Sequence, residues 1–149
     1  MEQRLSILTL SVDDLVAMRD SYVEKFGWTP VAENKDIVFF KLNGVLLSFF
    51  EKEDLAQDAR VEPASVGSKQ FSLAHNVETE EEEVDELFAI LESRGVKIVK
   101  RPEKTFFGAY GGYVADLEGN LWDIACNPYV ELDERGYVVT YKDTKHLEQ

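Results

Sequence analysis

TFFGAYGGYVADLEGNLWDIACNP, residues 105–128, reads as a glycine-studded loop, a strand over Tyr113–Ala115, a tight turn at Asp116-Leu117-Glu118-Gly119 and a second strand over Leu121–Ala125. Aspartate at the first turn position and glycine at the fourth suit a β-turn, because the aspartate side chain can bond its own backbone and glycine tolerates the closing conformation. Apolar runs on both sides make the unit a hairpin. Asp123 falls inside the run Leu121-Trp122-Asp123-Ile124-Ala125, where a carboxylate is costly unless paired or used. Gly108, Gly111 and Gly112 lack the Lys-Ser/Thr and the helix that follow a phosphate loop, so they mark a tight bend or a flexible approach to a ligand.

Upstream of this hairpin the pattern is a strand (Phe71–Val77), a helix and another strand (Val96–Lys100). Thr79 with Glu82 forms a capping box, Val84, Leu87, Phe88 and Leu91 fall on one helical face, and Gly95 closes the helix. The same order is legible nearer the N-terminus. Residues 4–12 alternate as a strand; Asp13 is the expected N-cap; Leu15, Met18, Tyr22 and Phe26 recur at helical spacing before Gly27. Strands are expected over Trp28–Ala32, Ile37–Leu42 and Val45–Phe50, the last two joined by the hairpin dipeptide Asn43-Gly44. Val12 and Val77 end equivalent strands 65 residues apart, and Ile7 and Ser72 share that offset, so the chain reads as two βαβββ units. The expected layout is a first module over 4–53, a helix-bearing linker over 54–68, a second module over 69–128 and a hairpin-like extension over 129–149.

With 149 residues, 44% hydrophobic and 11% aromatic, the chain suits one compact domain or two small modules sharing a core. Its 16 lysines and arginines against 29 aspartates and glutamates give a formal net charge of −13, which repels a phosphate backbone; no nucleic-acid partner is expected. The acidic run from Glu78 to Glu86 is expected to complement a helix dipole on a solvated face. The N-terminus has no signal-peptide pattern and no stretch approaches the roughly 20 apolar residues of a membrane span, so a cytoplasmic protein with no membrane partner is expected. Cys126, the only cysteine, excludes an internal disulfide and a Cys-cluster zinc site, and with no neighbouring histidine in sequence it reads as an inert buried thiol.

The tandem βαβββ pattern, with LSVDDL ending the first strand, the stretch from Asn76 to Leu87 entering the second helix and the 105–128 hairpin, resembles the vicinal oxygen chelate superfamily of glyoxalases, bleomycin resistance proteins and extradiol dioxygenases. The hairpin looks closest to a glyoxalase-like branch often labelled predicted lactoylglutathione lyase. It departs in having Leu117 where the family turn usually has Pro, and Asp123 where it usually has Glu.

The resemblance implies an α+β fold in which two modules curl a mixed sheet around a cavity. It also implies, in metal-dependent members, a cation held from four strand positions, which correspond here to Ile7, Ser48, Ser72 and Asp123. Isoleucine cannot bind a metal and neutral serine is a poor ligand for Zn²⁺, Ni²⁺ or Fe²⁺, so no metal cofactor is expected. Strand parity sets His75 opposite Ser72, and His146 lies in the tail. The cavity is then expected to bind a small organic molecule, lined by Ile7, Thr9, Ser48, Phe50, Ser72 and Asp123, with Phe106, Phe107, Tyr110 and Tyr113 from the neighbouring loop and strand. The other reading of each aromatic is that it simply fills the core. Asp123 is either a general base or cation-matching carboxylate, or a buried acid paired with Lys41, Arg4 or a backbone donor. Two other readings stand beside metal-free binding: a lyase-, isomerase- or dioxygenase-like enzyme, and a dimeric interaction protein with a vestigial pocket. The resemblance also implies a homodimer.

Overall fold

The structure, a computed structural model, describes residues 3, 6–60, 62, 63, 71–78, 80–142 and 145. Strands β1 (Ile7–Val12), β2 (Ala32–Glu33), β3 (Ile37–Lys41) and β4 (Leu46–Glu51) form one sheet in the order β1-β4-β3-β2. Strands β5 (Ser72–Asn76), β6 (Lys97–Lys104), β7 (Tyr110–Ala115) and β8 (Leu121–Cys126) form a second in the order β5-β8-β7-β6. In each, the first strand runs parallel to the fourth, with Ile7 opposite Leu46 and Ser72 opposite Leu121, and the remaining pairs are antiparallel. The repeat in the sequence is thus a repeat of topology: an α+β fold of two open, mixed four-stranded sheets.

The chain divides into two compact units, Met1–Gln70 with Leu117–Gly119, and Phe71–Asp116 with Asn120–Gln149. Residues 117–119 join the first unit because the Glu118 carboxylate accepts the backbone N–H groups of Asp13 at 2.7 Å and Asp14 at 3.0 Å. Those donors lie just ahead of helix α1 (Leu15–Ser21), where backbone N–H groups have no helical acceptor. The N-cap is Asp14, not Asp13: its carboxylate accepts from Ala17 N–H, whereas Asp13 pairs with Lys52 at 3.0 Å. The helix widens into a π-helical turn over Tyr22–Phe26 and stops at Gly27, which takes φ 75° and donates to the Tyr22 carbonyl.

Helix α1 packs on β3 and β4. Alternation along the strands aims Leu10, Val12, Val38, Phe40, Leu47 and Phe49 at it, all buried. Tyr22 is the hub, with ring centroids 4.7 Å from Phe26, 4.8 Å from Phe49 and 5.3 Å from Trp28. That packing also explains why Trp28–Ala32 is not a strand. Trp28 turns its ring into the aromatic cluster, and pairing begins only at Ala32.

In the second unit, helix α3 (Glu81–Ser93) buries Val84, Phe88 and Leu91 and packs on β6, β7 and β8. It closes in a Schellman motif, Gly95 N–H to Glu92 carbonyl and Val96 N–H to Leu91 carbonyl. The intervening helix α2 (Lys52–Ala59) occupies the start of the expected linker, and β9 (Val130–Leu132) pairs with β10 (Val138–Tyr141) in the C-terminal hairpin. Two turns share one device. Asp116 and Asp133 each accept the backbone N–H four residues on, at 2.9 Å, with Gly119 and Gly136 at φ 85° and 78°. Arg4, Thr79 of the expected capping box, residues 64–68 of the linker and His146 lie outside the described residues. Among the described residues no helix is long and apolar enough to cross a membrane.

Candidate functional site

Helix α1 packs on one face of the first sheet and α3 on one face of the second, and α2 also contacts β1 and β4. On the face of the first sheet turned away from α1, register brings Ile7, Thr9, Ser48, Phe50 and Phe39 together. Ser48 is fully buried, and its hydroxyl lies 2.7 Å from that of Thr9, directly opposite on the parallel strand. Each hydroxyl therefore satisfies the other. Phe50, at the end of β4, also borders a cleft of about 530 Å³ lined by Asp36, Asp54, Gln57, Asp58 and Arg60. That cleft does not include the Thr9–Ser48 pair.

The open face of the second sheet is different. Register places Ala74 on β5, Asp123 on β8, Tyr113 on β7 and Lys100 on β6 in one row across all four strands. Ser72 and Asn76 lie on the same face of β5, and Ala125 and Gly111 in the adjoining row. Asp123 is half-buried, and burial raises its carboxyl above the ordinary aspartate value, an effect that Lys100 partly opposes. Among the described residues neither the Asp123 carboxylate nor the hydroxyls of Tyr113 and Ser72 has a hydrogen-bond partner. The Lys100 ammonium is held 2.8 Å from Glu103.

Of the cations expected beside Asp123, Lys41 lies on β3 opposite Leu46 and Arg4 is outside the described residues; among the described residues the cation that acts on Asp123 is Lys100. Sequence alone conceals Lys100, because β6 shifts register on both sides of it and counting along the strand does not bring it opposite Tyr113.

The remaining nominated aromatics lie elsewhere. Tyr110 is on the helix-covered side of β7, and its hydroxyl donates to Asp85 of α3 at 2.7 Å. Phe106 and Phe107 sit edge-to-face at the β6–β7 hairpin tip, centroids 5.2 Å apart, with Phe106 exposed. Gly111 and Gly112 are strand residues rather than a loop. A Cβ on Gly111 would meet Ala125 Cβ at 2.6 Å, and one on Gly112 would strike the Lys100 carbonyl and the Phe88 ring. Close approach of protein to protein, not of a ligand, is what these two positions require. Cys126 is half-buried on the helix side, and burial pushes its thiol up, as suits an inert thiol.

With this topology on two repeated units, the family is decided by a family model for the Glyoxalase/Bleomycin resistance protein/Dioxygenase superfamily, which matches residues 4–124. The chain belongs to this superfamily. It is 34% identical to a glyoxalase-related enzyme from Fulvimarina pelagi, with a TM-score of 0.83 over 93% of this chain and 99% of that one. A glyoxalase/bleomycin resistance protein/dioxygenase family enzyme from Burkholderia phytofirmans PsJN is 25% identical with a TM-score of 0.66, covering 81% and 96% of the two chains. A lactoylglutathione lyase from Agrobacterium tumefaciens shares the fold at 23% identity, with a TM-score of 0.65 over 85% and 96%. No curated protein matches the chain.

The superfamily fold hosts unrelated chemistries, so the ligand has to be argued from the side chains. The cation implied by the resemblance does not fit those present. Ile7 offers no donor atom, the Ser48 hydroxyl is engaged by Thr9, Ser72 offers a neutral hydroxyl, and only Asp123 offers a carboxylate. Among the described residues no three His, Cys, Asp or Glu side chains are gathered to hold a metal ion.

Proposed function

We propose that this superfamily member binds a small organic molecule without a metal, on the open face of the second sheet around Asp123, with Ser72 and Tyr113 as further polar contacts. The observation that carries the proposal is the Asp123 carboxylate: half-buried, on a face that no helix covers, and without a hydrogen-bond partner among the described residues. A buried or half-buried acceptor left unmatched costs stability, and a ligand donor is the simplest return for that cost. The same reading sets the protein in the cytoplasm as a homodimer.

A second reading, metal-free acid–base catalysis, draws on the raised carboxyl of Asp123 beside the Tyr113 phenol, since a general base works best when its pKa moves toward neutrality. One experiment tests the binding site that both readings share. Metal content is measured on protein purified without chelator, and a library of small organic molecules is screened by thermal shift on the wild type and on Asp123→Asn. Stabilising compounds whose effect is lost in Asp123→Asn, from metal-free protein, support it. Stoichiometric Zn²⁺, Ni²⁺ or Fe²⁺, or compounds indifferent to Asp123, overturn it.

A further inference from the structure

Resting on the Asp123 site just proposed, we infer that its ligand carries a planar cationic group of the amidinium or guanidinium type, and that Glu103 keeps the site open to it by holding Lys100 aside. Three observations combine. The row Ala74–Asp123–Tyr113–Lys100 runs across the open face, and the same-face neighbours of Asp123 are Tyr113 and Leu121 together with the small residues Ala74, Ala125 and Gly111. Opposite residues on adjacent strands stand about 5 Å apart, so toward Ala74, Ala125 and Gly111 the carboxylate borders a floor of methyl groups and bare backbone, with the Tyr113 ring and the Leu121 side chain as its larger neighbours. A flat group can lie on such a floor, while a branched or bulky one gains nothing from it. Gly111 cannot carry even a methyl group without striking Ala125, which keeps the floor low.

The second observation is the unmatched acceptor. Both oxygens of the Asp123 carboxylate are without a hydrogen-bond donor among the described residues, and the Tyr113 and Ser72 hydroxyls on the same face are equally unengaged. Two parallel N–H donors on a planar cation satisfy both carboxylate oxygens at once, which a single ammonium does not.

The third is the arrangement of charge. Lys100 is the one protein cation in the row, and its natural partner would be Asp123. Instead its ammonium is 2.8 Å from Glu103, three residues along β6. Asp123, Lys100 and Glu103 together therefore leave one negative charge on the open face, which an arriving cation can neutralise. If Glu103 released Lys100, the ammonium would compete for Asp123. Glu103 is thus a positioning residue, and Lys100 sets the charge of the ligand that the site accepts.

The test titrates the full-length protein with benzamidine, its neutral isostere benzamide and benzoate, following backbone amide resonances of Ala74, Gly111 and Ala125. Benzamidine is expected to bind saturably at these amides, with benzamide and benzoate at least about tenfold weaker, equivalent to about 1.4 kcal/mol. Asp123→Asn is expected to abolish the preference for benzamidine. The two remaining variants are expected to act with opposite signs: Lys100→Met tightens benzamidine binding several-fold and Glu103→Gln weakens it. Folding of each variant is checked by the dispersion of the same spectra. Benzamide binding as tightly as benzamidine, with Asp123→Asn abolishing both, overturns the cationic class and leaves the Asp123 site standing. Benzamidine binding that ignores Asp123→Asn overturns both. Lys100→Met and Glu103→Gln changing affinity in the same direction, or not at all, overturns the positioning role.

Discussion

The hydroxyls of Thr9 and Ser48 lie 2.7 Å apart across the parallel strands β1 and β4. Ser48 is wholly buried, so this bond serves the first sheet. Ser48→Ala leaves the Thr9 hydroxyl without its partner, and a lost hydrogen bond of this kind costs about 1 kcal/mol. The double replacement Thr9→Val with Ser48→Ala removes both polar groups, and is expected to be less destabilising than the sum of the two single changes. Urea unfolding of the three variants gives the comparison. Additive losses would show that the two hydroxyls do not depend on each other.

Asp123 makes the opposite prediction, a gain of stability on mutation. Burial raises its carboxyl above the unfolded value of 3.8, so the folded chain holds the proton more tightly than the unfolded chain does. The stability that goes with the protonated group is present below pH 3.8 and is lost as pH rises through the folded value. At neutral pH the ionised carboxylate is therefore a burden. Asp123→Asn is expected to melt higher than the wild type at pH 7, with the difference shrinking toward acid pH and gone below about pH 3.8. An Asn variant less stable than the wild type at pH 7 would mean that the carboxylate is satisfied in the folded protein, and the proposed site would fall with it.

Two glycines should respond to alanine for different reasons. At Gly112 a Cβ would run into the Lys100 carbonyl, the Arg101 backbone and the Phe88 ring, so β6 or α3 must move. Overpacking of this kind costs about 1–3 kcal/mol, and the displaced Lys100 backbone should also disturb the row that holds Asp123. At Gly108 the added methyl meets nothing within 4 Å, but the backbone is at φ +92°. There the cost is about 1 kcal/mol of left-handed strain, without effect on the sheet. Melting temperatures together with amide spectra distinguish the two. Equal spectral disturbance from both would show that the hairpin tip and the strand interior are coupled.

These contrasts mark how far the chain could be read before its fold was known. The helices were legible because Leu15, Met18 and Tyr22, and again Val84, Phe88 and Leu91, repeat at helical spacing and do become the buried faces. The repeat was legible because equivalent strand ends share one offset, and the two sheets carry the same order. What sequence did not reveal depends on register. Asp13 and Asp14 are equally good caps by chemistry, and only the pairing of Asp13 with Lys52 leaves the role to Asp14. Lys100 reaches the Asp123 row through two irregularities in β6 that no local pattern announces. Tyr110 and Tyr113 differ only in parity, yet one faces α3 and the other faces Asp123.

That parity gives the last prediction. The Tyr110 hydroxyl donates to Asp85 at 2.7 Å, and chiefly this bond pushes its pKa up to about 12, from 10.0. A phenol whose folded pKa is raised adds stability below the unfolded value and loses that contribution as pH rises through the folded one. The residue is largely solvent-exposed at its hydroxyl, so screening keeps the stability effect small and the titration is the better readout. The Cζ resonance of Tyr110 is expected to titrate near pH 12 in the wild type and close to 10 in Asp85→Asn. Because Tyr110 lies on the helix-covered side of β7, Tyr110→Phe is expected to leave benzamidine affinity unchanged, whereas Tyr113→Phe lowers it. Loss of binding in Tyr110→Phe at unchanged fold would move the ligand to the helix side of the sheet, beside Cys126 rather than Asp123.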